Sequence, residues 1–195
     1  MFTGITQTIS KITKIQYQGK ILCVSLNRPK IGKYKLGDSI LLNGICSTIT
    51  NLTKQTLTVE YMPETLQLTT VDSWQAQQPI NVEAPLTLQT GLAGGLVTGH
   101  VDGVGVVKQF QQLADNVELI ITYAKCYQEY VMLKGGITIN GVNLTISNCS
   151  ANSFSVKLIP YTLTHTTLNT LKKGDKVNLE FDYITKSVVN YLKKK

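Results

Sequence analysis

Apolar and polar positions alternate over short stretches of this chain, and the stretches come in matched pairs. Ile21-Leu22-Cys23-Val24-Ser25-Leu26, Thr56–Tyr61 and Phe154–Ile159 are short, rich in β-branched or aromatic residues and partly alternating. That is the pattern of strands with one buried face. Leu36-Gly37-Asp38 and Lys173-Gly174-Asp175 are turn signals placed just before further strands. Several short strands at near-regular spacing predict a small closed barrel. The segment Ile184–Lys195 breaks the pattern. Ile184, Val188 and Tyr191/Leu192 recur at helical spacing and the last turn is basic, which predicts a C-terminal helix. A helix this short is marginal alone, so its apolar stripe needs a partner, either its own barrel or a neighbouring chain.

The strand pattern is itself duplicated. NGICSTIT from Asn43 falls on NGVNLTIS from Asn140, an offset of 97. At that same offset VEYMPETLQLTT from Val59 falls on VKLIPYTLTHTT from Val156, and Ile80-Asn81-Val82-Glu83 falls on Val177-Asn178-Leu179-Glu180. Thr3-Gly4 falls on Thr98-Gly99 at an offset of 95, so one early loop differs by two residues. The chain is therefore mainly β, with two tandem barrels, and internal repetition defines its domains. The expected division is 1–90, 91–184 and a helix over 185–195, with the boundary in the Gly- and Pro-containing stretch 84–94.

Composition narrows the function classes. Of 195 residues 43% are hydrophobic and 16% charged, which suits a packed core and excludes a disordered chain. The net charge of +7 raises nucleic acid as a partner. Part of the excess sits in Lys193-Lys194-Lys195 and Lys172-Lys173, and no basic stripe is interleaved with aromatics, so no nucleic-acid role is expected. Cys23, Cys46, Cys126 and Cys149 form no C-x-x-C pair, and only two histidines occur, so no metal site is expected. The start MFTGITQTISK is unlike a secretory signal, and no apolar run approaches the roughly 18 residues of a membrane span. A cytoplasmic protein with free thiols and no membrane partner is the expectation.

Six motifs then occur in order: MFTG at the start, GDSILLNGICSTIT from Gly37, MPETL from Met62, GHVDGVG from Gly99, KGGITINGVNLTIS from Lys134 and IPYTL from Ile159. Together they resemble the riboflavin synthase α-chain family over nearly the whole chain. The resemblance implies two six-stranded Greek-key barrels and a C-terminal helix that joins a homotrimer. It implies dismutation of two 6,7-dimethyl-8-ribityllumazine molecules. A four-carbon unit passes between them, giving riboflavin and 5-amino-6-(D-ribitylamino)uracil without cofactor or metal. Association with a lumazine synthase shell is a further partner in view.

The resemblance also implies site residues. An N-barrel pocket would use Gly4, Ile5 and Thr6 after Phe2, then Cys46, Ser47 and Thr48, then Glu60, Tyr61, Met62, Pro63, Glu64 and Thr65. A C-barrel pocket would use Gly99, His100 and Val101, then Lys134, then Asn143, Leu144 and Thr145, then Ile159, Pro160, Tyr161, Thr162, Leu163 and Thr164, with Asp182. His100, Cys46, Lys134 and Phe2 are the catalytic candidates. His100 could carry a proton near neutral pH, against a structural histidine in a turn. Cys46 could touch substrate, against ordinary packing. Lys134 could stabilise an anion, against a solvated lysine. Thr hydroxyls and backbone N–H groups suit the ring carbonyls of a lumazine, and stabilising the anion left by losing its 7-methyl proton matters more than a strong base.

The chain departs from the family pattern at Ser47, Gly95, Asn140 and Asn143, where leucine, histidine, aspartate and serine are common. A non-catalytic lumazine- or flavin-binding relative is the competing class. A flavin-dependent reductase barrel is disfavoured, because no nicotinamide domain follows.

Overall fold

The computed structural model describes residues 1–194; the predicted C-terminal helix includes Lys195, which lies outside the described residues. Strands β1 (Thr8–Gln18), β2 (Ile21–Asn27), β3 (Ser39–Leu42), β4 (Ile45–Leu52), β5 (Thr56–Tyr61) and β6 (Pro79–Glu83) close one barrel in the order β1-β2-β5-β4-β3-β6. Strands β7 (Gly103–Gln112), β8 (Val117–Thr122), β9 (Gly136–Ile139), β10 (Val142–Cys149), β11 (Ser153–Leu158) and β12 (Lys176–Phe181) close a second in the corresponding order. Both barrels are antiparallel throughout. Even the bulges repeat: β1 slips between Ile12 and Lys14 and β7 between Val107 and Gln109, while β4 slips at Ile49/Asn51 and β10 at Ile146/Asn148.

Alternation along these strands fills each interior. Ile12, Val24, Leu26, Ile40, Leu57 and Val59 meet inside the first barrel; Val107, Leu119, Ile121, Phe154, Val156 and Leu179 meet inside the second. Each such side chain contributes about 1.5–3 kcal/mol on leaving water. Closure removes the free strand edges that would otherwise invite pairing with other chains.

The barrels meet at their hairpin turns. Asn43-Gly44 joins β3 to β4 and Asn140-Gly141 joins β9 to β10; all four residues have positive φ, as a two-residue hairpin turn of this type requires. A Cβ on Gly44 would stand 2.8 Å from Gly141 N, and one on Gly141 the same distance from Gly44 N. Only glycine lets the two turns touch, and this reciprocal contact marks a pseudo-twofold axis between the repeats.

Two short helices, α1 (Pro63–Leu68) and α2 (Pro160–His165), follow β5 and β11, each with proline in the first turn where its missing N–H costs nothing. Helix α3 (Tyr183–Leu192) follows β12, starting slightly earlier than the sequence pattern places it because Asp182 accepts a hydrogen bond from Thr185 N at 2.7 Å. The two-residue difference between repeats lies in one loop. Between β2 and β3 the chain runs over 28–38, whereas between β8 and β9 it runs over 123–135 and includes a 3-10 segment, Lys125–Tyr130.

Candidate functional site

Each barrel is preceded by a short arm with the sequence Thr-Gly, and a buried carboxylate holds each arm. Glu83, at the end of β6, accepts hydrogen bonds from Thr3 N at 2.6 Å, Thr3 Oγ1 at 2.8 Å and Gly4 N at 3.0 Å. Glu180, in β12, accepts from Thr98 N at 2.7 Å, Thr98 Oγ1 at 2.6 Å and Gly99 N at 2.8 Å. Burial pushes the Glu83 carboxyl above the usual range, while its bonds from Thr3, Gly4 and Ile5 pull in the other direction. Both glutamates were visible in the repeated strand INVE/VNLE as charges in an apolar run, yet spacing alone assigned them no task.

The arms cross to the opposite barrel, which corrects the expected grouping. Gly4 O accepts from Asn143 N of β10 at 2.8 Å, and a Cβ on Gly4 would overlap Asn143 Cβ. Gly99 O accepts from Cys46 N of β4 at 2.9 Å, and a Cβ on Gly99 would stand 2.6 Å from Cys46 Cβ. Val101 packs on the core of the first barrel. Gly4 therefore meets Asn143 of the C-terminal barrel, while Ile5 lines a small cleft with Gln7, Glu83 and Ala84; Gly99 and Val101 meet the N-terminal barrel, with His100 between them. Both repeats look alike along the sequence, so nothing in the spacing tells which barrel an arm will cover.

Several predicted contacts turn inward instead. Along β4 the alternation puts Cys46 and Thr48 toward the outside and Ser47 inside. Ser47 Oγ donates to Ile45 O and lies 2.7 Å from Tyr61 OH, and Tyr61 is packed edge-on against Trp74. Burial raises the Tyr61 phenol well above its ordinary value. Ser47 and Tyr61 are thus core residues. Leu144 and Leu163 pack partly on the second core. Phe2 is 0% exposed, with Leu41, Val97 and Cys46 around it, and its backbone pairs with Val97. It anchors the first arm by packing and has no exposed surface for a reacting partner.

The remaining predicted residues stay at the surface. His100, Glu60, Met62, Glu64, Lys134, Ile159, Pro160, Tyr161 and Thr164 are exposed, and Pro63, Thr65, Thr162 and Val101 half-buried. His100 N donates to Thr98 Oγ1 at 3.2 Å, and His100 directly follows the glycine that meets Cys46. Thr145 is exposed on β10. Lys134 has φ +66, a left-handed conformation that costs a side-chain-bearing residue about 1 kcal/mol, where its repeat mate is Gly37. Strain of this kind at an exposed lysine is a pointer to function. Asp182 is committed through Oδ1 to capping α3, with its other oxygen near Gly136. Of the departures from the family pattern, two meet: a Cβ on Gly95 would overlap Asn143 Nδ2 and stand 2.8 Å from Asn143 Cγ, so the longer Asn143 side chain fits because residue 95 is glycine.

A cleft of about 500 Å³ lies elsewhere, between the barrels, among Asn43, Thr70, Trp74, Asn140, Thr167 and Lys176. Its walls are held by buried asparagines, whose bonds are already satisfied within the chain. The outward candidates lie on the barrel surfaces, Cys46 and Thr48 of β4 on the first and Asn143 and Thr145 of β10 on the second. Among the described residues no group of His, Cys, Asp or Glu could hold a metal ion, and no helix is long and apolar enough to cross a membrane.

A duplicated Greek-key barrel whose Thr-Gly arms each reach the other barrel defines a paired two-barrel module. A model of the lumazine binding domain matches residues 3–85 and again 98–182. The riboflavin synthase of Actinobacillus pleuropneumoniae is 34% identical, covering 100% of this chain and 91% of that protein, and that of Bacillus subtilis (strain 168) is 33% identical with the same coverage. The chain belongs to this lumazine-binding family, alongside the riboflavin synthases. Among solved structures, LumP complexed with riboflavin superposes with a TM-score of 0.86 at 25% identity, covering 93% of this chain and 99% of that one. LumP complexed with 6,7-dimethyl-8-(1'-D-ribityl) lumazine gives 0.83 at 25% identity, covering 92% and 98%.

Proposed function

We propose that the chain is a riboflavin synthase that dismutates two molecules of 6,7-dimethyl-8-ribityllumazine. The observation that carries this reading is the duplication of one clamped-arm face with unequal chemistry. Both barrels offer backbone and threonine donors to the same flat heterocycle, but the arm reaching the first barrel carries His100 next to the glycine that meets Cys46, and the arm reaching the second carries Ile5 next to the glycine that meets Asn143. Two identical substrates must take different parts, one giving four carbons and the other receiving them, and unequal faces can impose that difference. Atoms and electrons balance between the two lumazines, so the transfer needs no outside oxidant or reductant.

In this reading His100 carries the proton lost from the 7-methyl group, Lys134 offers positive charge to the resulting anion, and Cys46 touches the ring. Interactions that strengthen as that anion forms are the ones that accelerate the step. Each face is open on one chain, and exposed Met62, Ile159 and Tyr161 lie at their edges. A homotrimer joined through Ile184, Val188 and Leu192 of α3 would set one chain's first face against its neighbour's second. A cytoplasmic location follows the same reading.

Incubating purified protein with pure lumazine, with nothing added, tests the proposal. Equal amounts of riboflavin and the ribitylamino-pyrimidinedione are expected by chromatography. Tight binding of lumazine with no product would favour the second reading, a ligand-holding protein, which the likeness to ligand-bound LumP supports.

A further inference from the structure

The arm that carries His100 is fastened at its far end as well as at Gly99. Asp102 N donates to Leu179 O at 2.9 Å, and Asp102 Oδ2 accepts from Phe181 N at 2.8 Å. The Asp102 carbonyl accepts the hydroxyl of Tyr127, from the 3-10 segment of the longer loop. Lys186 of α3 then places its ammonium on both carboxylate oxygens, at 2.8 and 2.7 Å. This pair is largely sheltered, with Lys186 15% and Asp102 20% exposed, so it is less screened than a surface pair.

The first repeat has the same fastening without the charge. Gln7 stands where Asp102 stands: Gln7 N donates to Val82 O at 3.0 Å, and Gln7 Oε1 accepts from Ala84 N at 3.0 Å. No helix follows β6 to reach it. The ion pair has therefore been added only to the arm that bears the histidine. Helix α3 is in turn seated on the longer loop, through Tyr130 OH to Asn190 Oδ1 at 2.8 Å and Lys193 to Glu129 at 2.7 Å.

We propose that Lys186, acting through Asp102, is a positioning residue for His100, so that the C-terminal helix sets where the histidine arm rests on the first barrel. This rests on the synthase reading above. The ion pair holds the last residue of a short arm whose glycine already meets Cys46, and His100 lies between these two fixed points. Without the ion pair that end is loosened, while the bonds of Asp102 to Leu179, Phe181 and Tyr127 keep the arm attached. Displacement of a reacting group by about 1 Å is enough to cost orders of magnitude in rate.

The test uses the full-length protein with Lys186→Met, Lys186→Arg and, as a control on the same helix, Lys193→Met. For Lys186→Met, kcat on lumazine is expected to fall roughly tenfold with KM changed less than about twofold, a loss confined to the chemical step. Amide exchange over Gly99–Gly103 should quicken while that of the first barrel's strands stays as in the parent. Lys186→Arg should recover most of the rate, and Lys193→Met, which breaks an exposed pair while Tyr130 OH still holds Asn190 of α3, should change kcat by less than about twofold. Parent-like kcat and exchange in Lys186→Met would overturn the proposal, as would a loss that Arg does not recover and that tracks a fall in melting temperature. If the parent protein makes no riboflavin, the synthase reading fails instead. The exchange comparison then decides alone whether the helix governs the arm.

Discussion

In the first barrel Asn81 donates its side-chain amide to Asn140 O at 2.9 Å and accepts from Thr167 N at 2.8 Å; in the second, Asn178 donates to Asn43 O at 2.8 Å and accepts from Thr70 N at 2.8 Å. Each asparagine reaches across the pseudo-twofold axis, so each barrel completes the other's hydrogen bonds. Glu83 and Glu180 show the same parity in holding their arms. At the rims this parity ends. Cys46 corresponds to Asn143, Ile5 to His100, Gln7 to Asp102, and exposed Glu64 to Tyr161, which stacks on His165 at 4.0 Å. Buried polar groups are costly to leave unpaired, so both copies keep them; exposed positions such as Ile5, His100, Glu64 and Tyr161 carry no such penalty and are free to diverge. The scaffold is duplicated, and the exposed residues differ between the copies.

The sharpest way to break this comparison is at the unlike arm residues. His100→Ala is expected to lower turnover by about 10²–10⁴, the range for a lost acid–base group, with a smaller effect on ligand affinity. Ile5→Ala, at the matching position, should change turnover by less than about tenfold. Steady-state kinetics together with fluorescence titration of lumazine separates rate from binding. Equal losses at the two positions would mean that the faces share the work.

The next test asks whether the scaffold really is equal. Asn81→Ala leaves Asn140 O and Thr167 N without partners, and Asn178→Ala does the same to Asn43 O and Thr70 N. Each should cost about 2–4 kcal/mol, since a buried group left unpaired costs about 1–3. The two costs should agree within about 1 kcal/mol if the barrels are equivalent in stability as well as in geometry. Denaturant melts of the full chain at one fixed protein concentration give both numbers.

Much of this architecture was legible in the sequence, because a repeat doubles every signal. The Gly-Asp turn signals before β3 and β12, the partly alternating runs of β2, β5 and β11 and the helical spacing from Ile184 each marked an element. Ser47 and Tyr61 were assigned outward because the resemblance was carried over as runs of consecutive residues, whereas a strand shows only every second residue to one side. The crossing of the arms was not legible: Thr3-Gly4 and Thr98-Gly99 present the same motif to two barrels with the same turn, and only the folded chain shows which pairs form. The Asp102–Lys186 pair was hidden for a related reason. Each residue reads as an ordinary surface charge until β12 and α3 bring together positions 84 residues apart.

The smallest expected effect concerns a contact with no counterpart in the first repeat. Gly95 is outside the left-handed region, so alanine there meets no backbone strain. Its Cβ would instead overlap the side-chain amide of Asn143, a short side chain whose backbone N–H is bound to Gly4 O. Gly95→Ala should therefore destabilise the chain by about 1–2 kcal/mol, the usual cost of a methyl group forced into an occupied space. Asn143→Ala removes the atoms in the way and should cost little by itself. In the double variant most of the Gly95→Ala penalty should disappear, a coupling above about 0.5 kcal/mol of the kind expected only between residues in contact. Thermal or denaturant melts of the four proteins complete the cycle. Simple additivity would show that residue 95 and Asn143 do not share space, and the second face would then owe its shape to something other than this exchange of bulk across the arm.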